Sequence, residues 1–455
     1  MRRAPVQGIL NAKNACTYGV RGKVRTDGVG AIKLIRLRFD NPKLFALTLI
    51  IAILAGSYFS YAMTNSVVIP NSGAISLSEI IAKSGSPADI QAAANTMAAA
   101  GGGTVHVPAG NFGWNGETVT IPGGVNVIGA SYAGCSGHET GWITYTAQTI
   151  LHNNANTASP MFRVTRTTNT RISGIQFESV APTSPDSGER SNGIFLTQCK
   201  NFRVDHCTFI NFAENSVVVT LNWEKGTSAY GVIDHCYVYE PYKLTGSGWL
   251  WAYGFYSIGA MDYNKGAWDT DLSHFLGKYQ AVTNCAMMFV EDCHFSYSRH
   301  ATDAIQGGWN VVRYCLVDHN YPNYGSIDLH GTIDDGRWWG GRGMEVYNNT
   351  VYGVRGADGN NAGVRLRGGA GFIYNNTVIG ADASSYGVQL DDYDGPSTLD
   401  PITNIHNTYV WSNTCTNCIA LNVLQGTLNT DYFTRAPTQA QDGFTYTPYA
   451  YPIAT

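Results

Sequence analysis

The feature that most constrains this chain is a recurring word. The segments FRVDHCTF (202–209), GVIDHCYV (231–238), MFVEDCHF (288–295) and NVVRYCLV (310–317) share one pattern. GMEVYNNTV (343–351), GFIYNNTV (371–378) and ITNIHNTYV (402–410) continue it, and RISGIQF (171–177) is an earlier, degenerate copy. Each alternates apolar with polar residues, sets a Cys or Asn, and returns to an apolar residue two places on. With Cys207, Cys236, Cys293, Cys315, Asn349, Asn376 and Asn407 as anchors, the spacings are 29, 57, 22, 34, 27 and 31. The 57 reads as two periods, with one copy degenerate within 246–285. A repeat of this length with strand-type alternation predicts a solenoid of β coils.

Anchors at one point of each coil then stack into ladders. Cysteine behaves there as a small buried hydrophobe. A buried asparagine can satisfy its amide from coil to coil. Asn348 and Asn375 open glycosylation sequons but sit inside repeat words, so they read as ladder residues. Cys415-Thr-Asn-Cys418 has no second CxxC to complete a zinc site; a local disulfide or two buried thiols is expected.

Composition agrees with this architecture. Only 14% of residues are charged, while 51 glycines and 27 tyrosines mark a turn-rich, aromatic chain. That excludes a coiled coil and a nucleic-acid binder led by a basic surface. The net charge of −4 is itself a difference of two parts. Residues 1–43 carry about +8, residues 44–62 are uncharged, and residues 63–455 carry −12. A basic region, the apolar run Leu44 to Gly56 and a small-residue end at Ala62 read as a signal peptide. The 13 apolar residues fall short of the ~20 that span a bilayer; a membrane anchor is the alternative. Either way, residues 63–455 are expected to be secreted or cell-surface, touching a membrane only through 44–62 if those remain.

PADIQAAANTMAAA (87–100) reads as a helix with Ser86 at its N-cap and Gly101 beyond its end. The words ADIQAAANTMAAAGGGTVHVPAGNF, GVNVIGAS, RISGIQF and the YNNTV repeats resemble the right-handed parallel β-helix, pectate-lyase-like superfamily. The resemblance covers about residues 86–413. It implies an all-β parallel β-helix in a single domain (63–455), with a cap helix at about 86–100, coils at about 103–413 and a tail at 414–455. It also implies a polysaccharide partner, expected to be acidic, and the chain is expected to be a monomer. These words specify the fold well and the reaction poorly, because one fold hosts many functions.

A second strand column precedes each anchor: NGIFLTQ (192–198), TDAIQG (302–307), SIDLHG (326–331), AGVRLRG (362–368) and YGVQLDD (386–392). Aligned on Leu196, Ile305, Leu329, Leu366 and Leu390, it faces inward two places earlier at Ile194, Ile327, Val364 and Val388, with Asp303 as the exception. Alternation turns the residues between outward. Asp328, His330, Arg365, Arg367 and Asp391 then form one charged patch on a flat parallel sheet.

Around it, Arg299 and His300 fall one coil away. The insertion TIDDGRWWGGRG brings Asp334, Asp335, Trp338, Trp339 and Arg342, and the loop after Asp391 brings Asp392, Tyr393 and Asp394. Trp249, Trp251, Tyr253, Phe255 and Trp268 lie in a further long insertion. One reading is an exposed ion-pair network with no chemistry. A second is a lyase on acidic polysaccharide, with His330 as base tuned by Asp328. Arg365 and Arg367 would then neutralise the uronate, and His300 or Tyr393 would serve the leaving oxygen. Arg299, Arg342, Trp338, Trp339, Tyr393 and Asp391 would bind substrate.

No cofactor is demanded by these residues. Calcium is the one the superfamily often uses, and Asp334, Asp335, Asp392 and Asp394 are the acids for it, although no ordered calcium loop is present. A polygalacturonase-like hydrolase using Asp328 and Asp391 is the alternative. Asp-Leu-His-Gly and Arg-Leu-Arg only echo that branch, and Leu-Asp-Asp comes after them. A non-catalytic glycan-binding adhesin is the third. His206, His235 and His294 read as turn or ladder residues.

Overall fold

In the computed structural model, the described residues are 21–23, 36–38, 78–180, 190–224, 226–240, 253–260, 284–318, 327–332, 339–354, 362–392 and 404–453. Within the unit Met1–Ile75, Arg21–Lys23 pairs antiparallel with Arg36–Arg38. The signal or anchor expected at 44–62 lies outside the described residues. No helix among them is long and apolar enough to cross a membrane.

The unit Ser76–Thr455 is a right-handed parallel β-helix. From Gly103 onward its strands visit three sheets in rotation, giving parallel stacks of twelve, ten and ten strands among the described residues. In one coil, Asn192–Thr197 lies in the third sheet, Lys200–Asp205 in the first and Thr208–Ile210 in the second. In-register pairing runs like residues along the axis. Ile172, Val204, Ile233, Val290, Val312, Val346 and Ile373 form one fully buried row of the first sheet. Leu151, Phe177, Phe209, Val238, Phe295, Val317, Val351 and Val378 form its counterpart in the second.

The repeat word is the corner between the first and second sheets. The residue before each of six anchors takes a left-handed conformation: His206 (φ 50°), His235 (φ 53°), Asp292 (φ 51°), Tyr314 (φ 55°), Asn348 (φ 59°) and Asn375 (φ 53°), five of them Asn, Asp or His. Asn, Asp and His tolerate this region better than other side chains, which explains their recurrence. In the degenerate copy Gly174 (φ 70°) fills the same place. Asn348 and Asn375 are therefore turn residues; Asn349 and Asn376 form the ladder. His206 and His235 are turn residues as expected and stack on each other, with centroids 4.8 Å apart, while His294 pairs with Asp318 at 3.0 Å.

The anchor that follows points into the core. Cys207, Cys236, Cys293 and Cys315 are fully buried free thiols. Asn349 Nδ2 donates to Asn376 Oδ1 (2.9 Å) and to Val312 O (2.9 Å). Asn376 Nδ2 donates in turn to Asn413 Oδ1 (2.9 Å) and Val346 O (2.8 Å). The last rung is thus Asn413, not Asn407. Asn407 sits within the strand Ile405–Trp411, where the register against the previous coil shifts. Nor is the 57-residue spacing two periods: Asp234 pairs directly with Glu291, so it is one coil carrying long insertions.

The helix Pro87–Ala99 is capped by Ser86, whose hydroxyl accepts from the Asp89 amide, and buries Ile90, Ala94 and Met97 in the shared core. Past residue 413, Thr414–Thr416, Ile419–Val423 and Tyr432–Phe433 each add a strand to one of the three sheets. Cys415 and Cys418 form a local disulfide. The last residues run back over the outer face of the first sheet. Tyr446 stacks on Phe372 (4.3 Å) and its hydroxyl donates to Glu345 (2.7 Å), while Arg313 donates to Tyr449 O (2.7 Å).

The asparagine ladder gives a test. Asn376→Ala strips Asn349 of its amide partner inside the core, and a buried unsatisfied group costs about 1–3 kcal/mol. The variant should unfold at a lower urea concentration, whereas Asn375→Ser at the exposed turn should shift the midpoint far less.

Candidate functional site

The third sheet carries two outward rows that cross five coils. Pairing of Thr302 with Ile327 sets Asp303 beside Asp328. The first row therefore reads Tyr256, Asp303, Asp328, Arg365, Gln389. Ladder bonds from His330 N to Ala304 O, Arg367 N to Leu329 O and Asp391 N to Leu366 O (each 3.0 Å) set the second: Ile305, His330, Arg367, Asp391. The expected alignment on Ile305 is one residue out. The inward row is Ser257, Ala304, Leu329, Leu366, Leu390, so the small Ala304 fills the core and Ile305 faces out. Asp303, taken from the sequence as an inward exception, joins the outward row.

The five expected patch residues do come together, but not as a solvated network. Asp328 is fully buried, and Arg365, Arg367 and Asp391 are each at most 4% exposed. Arg367 closes on Asp328 through Nε (3.1 Å) and Nη2. Arg365 closes on Asp391 through Nε (3.2 Å to both oxygens) and Nη2. Gln389 adds a donor to Asp391 at 3.0 Å. Two rows of one sheet thus hold two fork-shaped pairs, each reaching across to a neighbouring coil.

Asp303 sits one coil from this network. Its Oδ1 accepts from the Ala304 amide (2.7 Å), and its buried Oδ2 has no hydrogen-bond partner among the described residues. Donor atoms of His300, Asp303 and Asp328 lie within 4.8 Å of one another. His300 stacks on Tyr253 (5.2 Å), and Arg299 lies over the same ring at 5.5 Å, so both flanking residues expected one coil over are present. Tyr253 also stacks on Tyr256 at 5.0 Å. Within the two rows, Tyr256 and His330 keep partial contact with solvent.

The electrostatics split the two carboxylates. Burial, then the charge on Asp328, push the Asp303 carboxyl well above the usual carboxylate range. Burial also disfavours charge on Asp328, but Arg367, His300 and Arg365 outweigh it and hold that carboxyl well below its usual range. Burial and the neighbouring charges thus favour the protonated form of Asp303 and the ionised form of Asp328. Burial and then Arg367 pull the His330 imidazole down from its ordinary value, so it is neutral. Its Nδ1 lies 2.8 Å from Gly331 O; donation there assigns the lone pair to Nε2.

The remaining expected residues scatter. Trp339 is 6% exposed, and its carbonyl accepts from Gln306 N (2.8 Å) in the turn after the third sheet. Arg342 bonds Gly308 O through its amide (2.8 Å) and stands beside the Cys285 thiol. Asp392 Oδ1 accepts from Ile405 N (3.0 Å). Asp334, Asp335, Asp394, Trp338, Tyr393, Trp249, Trp251 and Trp268 lie outside the described residues. Phe255 packs in the core and Tyr253 sits on a strand.

The described residues do not fit calcium, which takes six to eight oxygens. Arg367 occupies Asp328, Arg365 occupies Asp391, and a cation at His300, Asp303 and Asp328 would stand beside the Arg367 guanidinium. Tyr256, Asp303 and Gln389 are the members that the expected site lacked. The signal for Asp303 was present: it shares its register with Asp328 once alanine is allowed in the core row.

No protein-family model and no curated protein matches this chain. Among solved structures, an alginate lyase from Paenibacillus sp. str. FPU-7 aligns over 78% of this chain and 99% of its own, at 12% identity and a TM-score of 0.44. A tailspike protein of E. coli bacteriophage HK620, in complex with a pentasaccharide, aligns over 75% of this chain and 56% of its own, at 16% identity and 0.48. A hyperthermoactive exopolygalacturonase from Thermotoga maritima aligns over 74% and 80%, at 11% identity and 0.40. At these values the likeness is one of chain path, and the chemistry of the site rests on its own geometry.

The charge split is open to measurement. Asp303→Asn replaces a neutral acid by a neutral amide and should fold as well as the parent at pH 7. Asp328→Asn leaves Arg367 buried without its carboxylate and should cost about 3–5 kcal/mol. The pH dependence has a definite sign. Asp303, raised in the folded state, contributes its full stability below the ordinary carboxylate value and loses it as pH climbs towards the folded one. Asp303→Asn should therefore flatten the decline in melting temperature within that window.

Proposed function

We propose that this chain is an exported, polysaccharide-acting enzyme that hydrolyses a glycosidic bond, with Asp303 as general acid and Asp328 as the ionised partner. The observation that carries it is the pair of carboxyls on adjacent coils held in opposite protonation states. Glycoside hydrolysis needs such a pair: one acid protonates the leaving oxygen while the other carboxylate meets the positive charge that develops on the sugar. Asp391, expected from the sequence as the second carboxylate, lies two coils from Asp328, whereas Asp303 lies on the adjacent coil and takes its place. Asp303 and Asp328 are themselves fully buried, and the partly exposed Tyr256 and His330 flank them. Export rests on the composition of residues 1–62, as read from the sequence.

The lyase reading stands second. His330 is neutral and partly exposed, as a base for β-elimination would be. That reading also needs guanidinium groups to meet a uronate, and both arginines in the rows already grip carboxylates.

One assay separates these readings. Incubating the protein with neutral glycans and polyuronates should release reducing ends without an unsaturated, ultraviolet-absorbing product. Asp303→Asn should lower turnover about 10²–10⁴-fold, the usual contribution of a general acid. Absorbance from an unsaturated product would give the site to elimination. Retention on a glycan with no cleavage would make the protein a binder, and full activity in Asp303→Asn would clear that residue of the role.

A further inference from the structure

We infer that the sugar held at this cluster is uncharged, lying along the solenoid axis from Tyr256 towards Gln389. The inference rests on the hydrolytic reading for the position of the sugar and departs from the acidic polysaccharide that the sequence suggests.

It follows from where the charges end. An acidic sugar is recognised by a guanidinium whose donors are available to it, because the forked geometry of arginine matches one carboxylate at a time. Arg367 gives Nε and Nη2 to Asp328, and Arg365 gives Nε and Nη2 to Asp391. The side chains of both pairs are at most 5% exposed. A uronate entering here would have to take a guanidinium from its partner and leave an aspartate buried and unpaired. It would also meet two further carboxyl groups, Asp328 and Asp391, in the same two rows. The two pairs are therefore balanced within themselves, and neither guanidinium is left over for a substrate carboxylate.

What the rows do leave open is uncharged. Asp303 Oδ2 and Gln389 Oε1 are buried and have no hydrogen-bond partner among the described residues. Buried polar atoms are normally paired, and unpaired ones point to a missing partner. A sugar hydroxyl both donates and accepts, so it serves the Gln389 oxygen as donor, while Asp303 as an acid serves a glycosidic oxygen. The two residues stand three coil steps apart in one row, ~14 Å at the usual strand spacing, so they would meet different units of one oligosaccharide. At the other end, the half-buried Tyr256 ring, stacked on Tyr253, offers a face for a sugar to cover. Stacking of this kind asks for apolar C–H surface and not for charge.

Affinity electrophoresis of the protein in gels containing either a neutral glycan (glucan, xylan, mannan) or a polyuronate tests this. Retention by at least one neutral glycan should exceed retention by polyuronate by about tenfold and persist in high salt. Asp391→Asn should raise polyuronate retention, because it releases the Arg365 fork; should that variant not fold, the comparison with the parent protein decides. Stronger or equal retention by polyuronate, or retention by neither class, overturns the inference. Product analysis keeps the two proposals apart. Hydrolysis of a polyuronate would preserve the acid pair and overturn the uncharged sugar. A neutral glycan bound but left uncut would preserve the sugar and overturn the hydrolysis.

Discussion

Everything in the coiled unit depends on one corner. At seven successive passages from the first sheet to the second, from Cys207 to Asn413, a single residue takes a left-handed conformation and the next drops a Cys or Asn inward. The left-handed residue turns the chain, and the anchor fixes the depth of the turn. Where the anchor is asparagine, its amide bridges to the coils on either side. Since side chains alternate along a strand, a slip of one residue at this corner would exchange inside for outside over the whole coil. The corner therefore sets the register of the first sheet directly and confines what the third can do.

That register turns a sequence of separated residues into a site. Asp303, Asp328 and Arg365 are 25 and 37 positions apart along the chain, yet consecutive in one row. Parallel stacking places equivalent positions ~4.8 Å apart. At that range two carboxylates cannot both stay ionised away from water unless a cation divides them. Arg367 makes the division by gripping Asp328 alone, which leaves Asp303 to hold its proton.

Much of this was legible in the sequence. Alternation and the Cys/Asn anchors fix the solenoid, and the helix Pro87–Ala99 falls where its capping serine and alanine run place it. The row containing Asp328, Arg365 and Gln389 follows from aligning leucines. The reading slipped where the core side chain is small: Ala304 and Ile305 compete for one inward position, and size favours the wrong one when packing is unseen. It slipped again at Asn407, whose word matches the repeat although Asn413 makes the rung. A word gives alternation, but only the pairing of coils shows which asparagine meets Asn376. Burial of the arginine–aspartate pairs was also not legible, because charge in a sequence reads as surface.

The burial changes what the charges mean. Arginines on an open sheet face would have marked an anion-binding surface, with their pairing worth little against water. Enclosed, the same arginines are tied to their aspartates, because each guanidinium that lets go strands a carboxylate away from solvent. Their function then becomes internal: they set the ionisation of their neighbours and hold them in place. Asp328 remains a carboxylate because Arg367 is there, and Asp303 remains an acid because Asp328 is. The chemistry available to a substrate is what this closed ledger leaves over, a proton on one side chain and uncharged acceptors beside it.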